Sequence, residues 1–148
     1  MTPPRIVSST LEFPYSRTVG PTIGAFAAGL RDQRLLAART TGGRLLMPPL
    51  EYDPETSEAT EPDLVEVGPG GVVESWSWVP VPSGRQPYDR PFAFAMIKVD
   101  GADTGMIHVL TAMSPDEIRT GMRVVPKWRE ERTGRIDDIE GWEPEGNQ

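Results

Sequence analysis

FAFAMIKVD, at positions 92–100, is the longest nearly unbroken apolar run outside the N-terminal third of this 148-residue sequence. The run is short, and Pro91 and Gly101 bound it with residues typical of turns. It therefore predicts a strand buried on both faces rather than a helix. Three other strand-like runs surround it, at residues 72–81, 105–111 and 123–128. Short strands separated by turn residues predict a mainly β fold, as a small closed barrel or a sandwich.

The composition excludes several classes of function. The chain has no cysteine, which rules out disulfides, thiolate zinc sites, cysteine nucleophiles and iron–sulfur clusters, and its single histidine cannot build a histidine-rich metal site. It carries 22 Asp and Glu against 15 Lys and Arg, a net charge of −7, which argues against a nucleic-acid partner. No apolar run has the length of a membrane span and the N-terminus is unlike a signal peptide, so we expect a cytoplasmic protein without a membrane partner.

The first twenty residues read as an irregular arm with regularly placed apolar side chains. Leu11, Phe13, Tyr15 and Val19 are spaced every second residue or slightly wider. The alternative is a disordered terminus. Four apolar side chains favour an extended arm that packs one side on an apolar surface.

Residues 21–38 predict a helix. Pro21 suits the first helical turn, and Ile23, Phe26 and Leu30 follow the three- and four-residue spacing of one helix face. Such a helix can cap one end of the barrel or dock on a partner protein, and the pattern leaves both readings open.

The next region combines a short strand with an acidic loop. Residues 45–47 predict a strand that Pro48 and Pro49 end, and residues 51–63 are acidic and rich in turn formers. The acidic residues do not have the spacing of an EF-hand, so we interpret residues 51–63 as a solvated loop.

Two tryptophans mark the first long strand. Strict alternation puts Val73 on one face and Trp76 and Trp78 together on the other. The pair can stack on bases, fill the core or contact a partner. Because the chain is acidic, base stacking ranks last.

Residues 82–91 predict a rigid, exposed loop with candidate ligand contacts. Arg85 and Arg90 can meet a phosphate or carboxylate, and Tyr88 can pack on a ligand. The alternative is an ordinary solvated hairpin loop.

His108 shares a strand face with apolar neighbours, and no serine or acid lies at a recognisable catalytic spacing. We therefore predict a structural histidine. Beyond residue 128 the chain is charged, so we expect a partly disordered tail with Trp142 as its anchor.

Taken in order, these motifs resemble the acyl-CoA-associated OB-fold proteins that carry an N-terminal rubredoxin-like zinc ribbon. The resemblance runs from Leu11 to about Trp128. The motifs that carry it are Phe13-Pro-Tyr, Val19-Gly-Pro21, Gly70-Gly71-Val72, Pro87-Tyr88, Val99-Asp100-Gly101 and Gly121-Met122-Arg123-Val124. It implies an arm, helix and degenerate zinc-ribbon-like segment over residues 1–63. It also implies an OB-fold barrel over residues 64–130, followed by an acidic C-terminal tail over residues 131–148.

The chain departs from this family at the zinc site. Relatives bind zinc through a Cys-x-x-Cys knuckle and a Cys-Pro-x-Cys-Gly knuckle. The four corresponding positions here are Arg39, Gly42, Asp53 and Thr56. Because these side chains cannot replace a thiolate set, we expect no zinc and no other cofactor.

The resemblance implies a non-catalytic accessory subunit of a thiolase-superfamily aldolase or thiolase that acts on acyl-CoA thioesters. The segment from Leu11 to Leu36 is most similar to partners of lipid-transfer-protein-like aldolases, which cleave steroid side-chain CoA esters by retro-aldol chemistry in steroid catabolism. This chain would then have no catalytic residue of its own and would assemble as a hetero-oligomer.

Site residues follow from this interpretation. The expected partner-binding residues are Phe13, Tyr15, Ile23, Phe26 and Leu30, and the candidate acyl-CoA contacts are Arg85, Tyr88 and Arg90. Two alternatives stay open: a stand-alone OB module that binds acyl-CoA or another ligand, and, ranked below it, a binder of single-stranded nucleic acid.

Overall fold

One α-helix and eight strands follow each other along residues 1–146, the part of the chain that the computed structural model describes. Helix α1 spans Gly20–Arg31. The strands are β1 (Leu35–Arg39), β2 (Leu45–Leu46), β3 (Val65–Val67), β4 (Gly71–Val79), β5 (Phe92–Val99), β6 (Gly105–Leu110), β7 (Arg123–Trp128) and β8 (Ile139–Pro144). Two short 3₁₀ turns lie at Pro115–Glu117 and Ile136–Asp138.

The last five strands close into a barrel in the order β4-β5-β6-β8-β7. Strand β4 joins both ends of that order, because it pairs with β5 along its length and with β7 at Gly71 and Val72. Strands β6 and β8 are parallel, and the other pairs are antiparallel. This is a small five-stranded barrel of the OB type, so the predicted fold class is confirmed.

Strand β5, the apolar run, lies between β4 and β6. Its inward side chains, among them Ile97 and Val99, are completely buried. On its outward face Phe92 is also buried, but Phe94 and Met96 are half-buried and Lys98 is exposed. The prediction of a strand is confirmed, whereas burial on both faces holds only at its start.

A β-bulge changes the side-chain pattern of β4. The register with β5 shifts between Val73 and Ser75. Val73 pairs with Ile97 before the bulge, and Trp76 and Trp78 pair with buried alanines after it. All three side chains therefore point to the core side, and the predicted opposite faces were wrong because a bulge adds one residue to the alternation.

Strand β8 lies in the region that the sequence assigned to a partly disordered tail. It pairs with β7 over several residues and with β6 through Leu110 and Trp142. Trp142 is completely buried. The predicted disorder was therefore wrong over residues 131–146, although Trp142 is anchored as predicted. The last two residues of the predicted tail lie outside the described residues, and the barrel extends to Pro144, beyond the predicted boundary at residue 130.

The helix is shorter than residues 21–38. It ends at Arg31 in a Schellman-type arrangement, in which the Arg34 N–H donates to the Gly29 carbonyl and the Gln33 N–H donates to the Leu30 carbonyl. Gln33 has φ of 58°, in the left-handed region that glycine usually occupies at this position. Residues assigned to the end of the helix form β1 instead.

Strands β2, β1 and β3 form a small separate sheet, and α1 packs on β1. Gly29 permits this close approach, because a Cβ at that position would lie 2.7 Å from a Leu36 methyl carbon. Phe26 and Leu30 on the helix belong to the same buried cluster as the barrel residues Ile97 and Trp142. The N-terminal lobe, residues 20–67, therefore shares its core with the barrel.

The barrel depends on one close contact that only glycine allows. Gly71 pairs with both β5 and β7. A Cβ at this position would lie 2.8 Å from the main-chain oxygen of Lys98. We expect Gly71→Ala to lower the free energy of unfolding by about 1–3 kcal/mol, measured by urea denaturation. Gly84→Ala is the matched control, because nothing lies within 4 Å of its added Cβ. Equal stability of the two variants would contradict this role for Gly71.

Candidate functional site

The N-terminal arm, residues 1–19, presents apolar side chains to solvent. Phe13 is 72% exposed and Tyr15 is 79% exposed, and residues 1–19 contain no helix or strand. The arm does not pack on its own chain. Its apolar side chains are thus available to another molecule.

The helix contributes less to a partner surface than its sequence pattern indicates. Leu30 is 1% exposed and Phe26 is 6% exposed, and both pack in the core of this chain. Their prediction as partner contacts was therefore wrong. Ile23 is half-buried and retains some accessible surface.

Sequence reasoning missed two apolar side chains at the base of the arm. Leu50 and Tyr52 are 45% and 60% exposed. Between them, Glu51 borders the start of the helix, since a Cβ at Gly20 would lie 2.9 Å from the Glu51 carboxylate. The signal in the sequence was an apolar residue on each side of Glu51 in a segment otherwise rich in proline and acids.

The loop of residues 80–91 brings two of the three candidate acyl-CoA contacts together. The ring of Tyr88 lies 5.8 Å from that of Phe92, centroid to centroid. The Arg90 guanidinium carbon lies 5.2 Å from the centroid of the Tyr88 ring, in a cation–π contact. Arg85 is exposed on the same loop but is absent from the lining of the clefts around Tyr88 and Arg90.

Two clefts meet at Tyr88 and Arg90. One, of about 480 Å³, continues along Thr111, Met113 and Glu143. The other, of about 590 Å³, lies between the loop and the barrel residues Arg129 and Glu140. Two acids line this cleft: Glu140 is already paired, with 3.1 Å between its carboxylate and the Lys127 ammonium, and Asp89 is exposed. The two arginines are therefore the groups in this cleft that can meet an anionic ligand.

The tryptophan pair is half-buried against the core cluster. Of the three readings left open for Trp76 and Trp78, their packing against the core cluster favours the core.

His108 is buried on the inner side of β6, opposite Ala95. Its Nε2 lies 3.2 Å from the Ile136 carbonyl oxygen, to which it can donate a hydrogen bond. Burial lowers the pKa of His108 below its ordinary value, because the charged ring would lose its hydration. A neutral histidine that ties β6 to the turn before β8 fits the predicted structural role.

The two segments that the sequence predicted as degenerate knuckles both form turns. In the first, the Thr40 N–H donates to the Arg44 carbonyl and Gly43 has φ of 89°. In the second, the Asp53 N–H donates to the Glu58 carbonyl and Ser57, which follows Thr56, has φ of 62°. Over residues 1–146, no three His, Cys, Asp or Glu side chains converge on a point where a metal ion could bind.

The barrel, the small N-terminal sheet and the loop-bounded clefts define an OB-fold protein. Residues 64–129 match the family described as "ChsH2, C-terminal OB-fold domain". No curated protein matches the sequence.

Two solved structures share the fold of the chain. A chain of the "Ltp2-ChsH2(DUF35) aldolase" is 21% identical with a TM-score of 0.64, and the match covers 87% of this chain and 98% of that one. A DUF35-family protein of unknown function from Sulfolobus solfataricus is 18% identical with a TM-score of 0.59, over 73% of this chain and 77% of that one. At these identities the likeness establishes the fold.

The one α-helix of residues 1–146 has twelve residues, which is too few to cross a membrane.

The buried His108 predicts a pH dependence of stability. Its folded-state pKa lies below the ordinary value of 6.5, so the unfolded chain takes up this proton first as the pH falls. The stabilising effect of the neutral His108 ring is complete above the pKa that His108 has in the unfolded chain. It is lost as the pH drops toward the pKa that His108 has in the folded chain. We therefore expect the free energy of unfolding to fall between about pH 7.5 and pH 5.5.

The matched variant is His108→Gln, which keeps an N–H donor for the Ile136 carbonyl but does not titrate. Urea denaturation across the same pH range should give a flatter profile for this variant. An unchanged slope would show that another group causes the dependence.

Proposed function

We propose that this chain is a non-catalytic accessory subunit of a thiolase-superfamily aldolase or thiolase that acts on acyl-CoA thioesters. The observation that carries the proposal is the fold likeness to the Ltp2-ChsH2(DUF35) aldolase, which extends over nearly all of both chains. The family match of residues 64–129 supports the same assignment for the barrel.

The reaction we propose for the complex is retro-aldol cleavage of a steroid side-chain CoA ester, with the chemistry on the partner subunit. The side chains of this chain support that division of labour. The single histidine is buried, its pKa is lowered and it bonds to a main-chain carbonyl, so it lacks the geometry of a general base toward a substrate.

The arm is the part of the chain that we propose to contact the partner, through Phe13 and Tyr15, with Ile23 at its base. Burial of one such side chain contributes about 1.5–3 kcal/mol. Two aromatic anchors on an extended segment therefore suffice for a substantial part of a stable interface. The partner is expected to offer an apolar groove.

A second candidate function rests on the clefts beside Tyr88 and Arg90. Their arginines and aromatic ring favour a stand-alone module that binds acyl-CoA, with the Arg90 guanidinium toward the phosphates and Arg85 as a further candidate contact on the same loop, outside the cleft lining. In the complex, the same residues would contact the CoA moiety of the partner's substrate. Titration of the isolated chain with CoA, with Arg90→Ala as the variant, distinguishes binding by this chain from binding by the partner alone.

The decisive test is an aldolase assay with a β-hydroxyacyl steroid CoA on three samples: this chain, a thiolase-like partner, and both together. We expect activity in the mixture and none in this chain alone, and we expect His108→Ala to leave the mixture active. Cleavage by this chain alone would overturn the accessory role. Full activity of the partner alone would make this chain dispensable.

Co-purification maps the interface. Phe13→Asp and Tyr15→Asp should each abolish co-purification with the partner and leave the free energy of unfolding unchanged, because both side chains are exposed. Ile107→Asp is the matched control, since Ile107 is 63% exposed on barrel strand β6. If both arm variants bind as the wild type does, the arm is not the contact.

We also propose that the chain folds without a structural metal. Elemental analysis of protein purified without added metal should find zinc far below one equivalent. The positive control restores the thiolates through Arg39→Cys, Gly42→Cys, Asp53→Cys and Thr56→Cys in one variant, which should bind about one zinc ion if the turns keep their backbone. Position 42 has room, because the nearest atom to an added Cβ is 3.8 Å away. Chelation-resistant zinc in the wild type would contradict the proposal.

A further inference from the structure

The two turns of the degenerate zinc-ribbon segment face each other through charged and polar side chains. Arg44 Nη1, from the first turn, lies 2.9 Å from Glu55 Oε1 and 4.0 Å from Asp53 Oδ1 in the second. Thr41 Oγ1 donates a hydrogen bond to the Glu58 carboxylate across the same gap. We call these five residues the polar clasp.

One member of the polar clasp is a buried carboxylate. The Asp53 side chain is 6% exposed, whereas every other side chain in the ion pairs of residues 1–146 is at least 32% exposed. Its Oδ1 also accepts a hydrogen bond of 2.8 Å from the Glu55 N–H. A buried charge is costly unless it is compensated, so removal of Arg44 would leave Asp53 in an unfavourable environment.

The second turn has little else to hold it in place. Of residues 51–60, only Asp53 is buried and only Thr60 is half-buried, and the other eight are exposed. The segment therefore adds almost no apolar surface to the core. Hydrogen bonds from Thr60 to the Leu50 and Glu51 carbonyls join the ends of the segment to each other. Just beyond the segment, the Glu61 N–H donates to the Arg39 carbonyl and attaches this end to β1, which leaves residues 53–58 to be held by the clasp.

We propose that the polar clasp is the cross-link that holds residues 51–60 against the first turn, at the place where related proteins use a metal ion. The order of this segment then depends on ionic strength and not on metal supply. Since Glu51 borders Gly20, where the arm leaves the fold, the clasp also fixes one side of the arm's base. This inference concerns the free chain and does not require the proposed partner.

Hydrogen exchange of the full chain, measured by mass spectrometry, tests the proposal. Arg44→Met keeps most of the aliphatic stem and removes the charge, and we expect amides of residues 51–60 to exchange about tenfold faster or more. Amides of β5 should be unaffected. Arg34→Met is the matched control, because it breaks an exposed ion pair with Glu66 of similar length, 3.1 Å, and should change exchange by less than about twofold.

A second variant distinguishes two causes of faster exchange, the uncompensated charge of Asp53 and a general loss of packing. Asp53→Asn keeps an oxygen that can accept from the Glu55 N–H but carries no charge. Added to Arg44→Met, it should slow the exchange of residues 51–60 back toward the wild-type rate. Wild-type exchange in Arg44→Met, or a double variant that exchanges faster than the single one, would overturn the clasp.

Salt provides a test on the wild-type chain, which also decides the matter if Arg44→Met fails to fold. At about 1 M NaCl the Debye length falls to about 3 Å, and the Glu55 side chain is 68% exposed, so salt reaches that contact. Residues 51–60 should exchange severalfold faster in high salt while β5 does not, and a chelator should have no effect. Equal responses of the two segments to salt would contradict the proposal.

Discussion

The fold depends on the closure of its barrel by β8, which lies between β6 and β7. This strand is short and places the completely buried Trp142 opposite Leu110 on its parallel neighbour and Pro126 on its antiparallel one. Without it, β6 and β7 would both be open edges, and the interior that Trp142 fills would be open to water. The two clefts beside Arg90 also use residues of β8, so the same strand that completes the core shapes the candidate ligand surface.

The segment that leads into β8 also joins the N-terminal lobe to the barrel. The Asp138 carboxylate accepts hydrogen bonds from the main-chain N–H groups of residues 133–135. Burial alone would raise the pKa of Asp138, but these three donors lower it below its ordinary value, so the buried group stays ionised. The compact turn that results brings Gly134 against the Ala27 carbonyl and lets Arg132 donate to the Arg31 carbonyl. Helix α1 therefore rests on a turn that an ionised carboxylate organises, and its position follows from barrel closure.

The sequence predicted the parts of the fold that local signals determine. The bounds of β5, β6 and β7 were close because each of these apolar runs has a proline or glycine at or near its start, namely Pro91, Gly105 and Gly121. Strand β8 was missed because Ile-Glu-Gly-Trp-Glu-Pro has little strand character of its own, and only pairing with distant strands orders it. The helix end was missed because Gln33 occupies the left-handed position after the helix, where glycine is usual and would have marked the end in the sequence.

The candidate site was predictable to a smaller extent, because exposure is a property of the whole fold. Helical spacing identified the apolar face of α1, but it could not tell that the chain's own core buries Phe26 and Leu30. Tyr88 and Arg90 were named separately, and their stacking depends on the path of a loop that Phe92 anchors. The polar clasp left no periodic signal, since it joins isolated side chains of two separate turns, at residues 41–44 and 53–58.

The buried core and the exposed apolar side chains lie in different parts of the molecule. The barrel and helix share one buried core, while the arm carries Leu11, Phe13 and Tyr15 at 72% exposure or more. An extended arm loses conformational entropy when it binds, so it gains less affinity per unit of buried area than a rigid surface does, but it can reach across a large partner. That entropic cost is smaller when the end of the arm that joins the fold already has a fixed direction. Val19 and Gly20 lead directly into α1 beside Glu51, so the N-terminal lobe sets the direction in which the arm leaves the barrel.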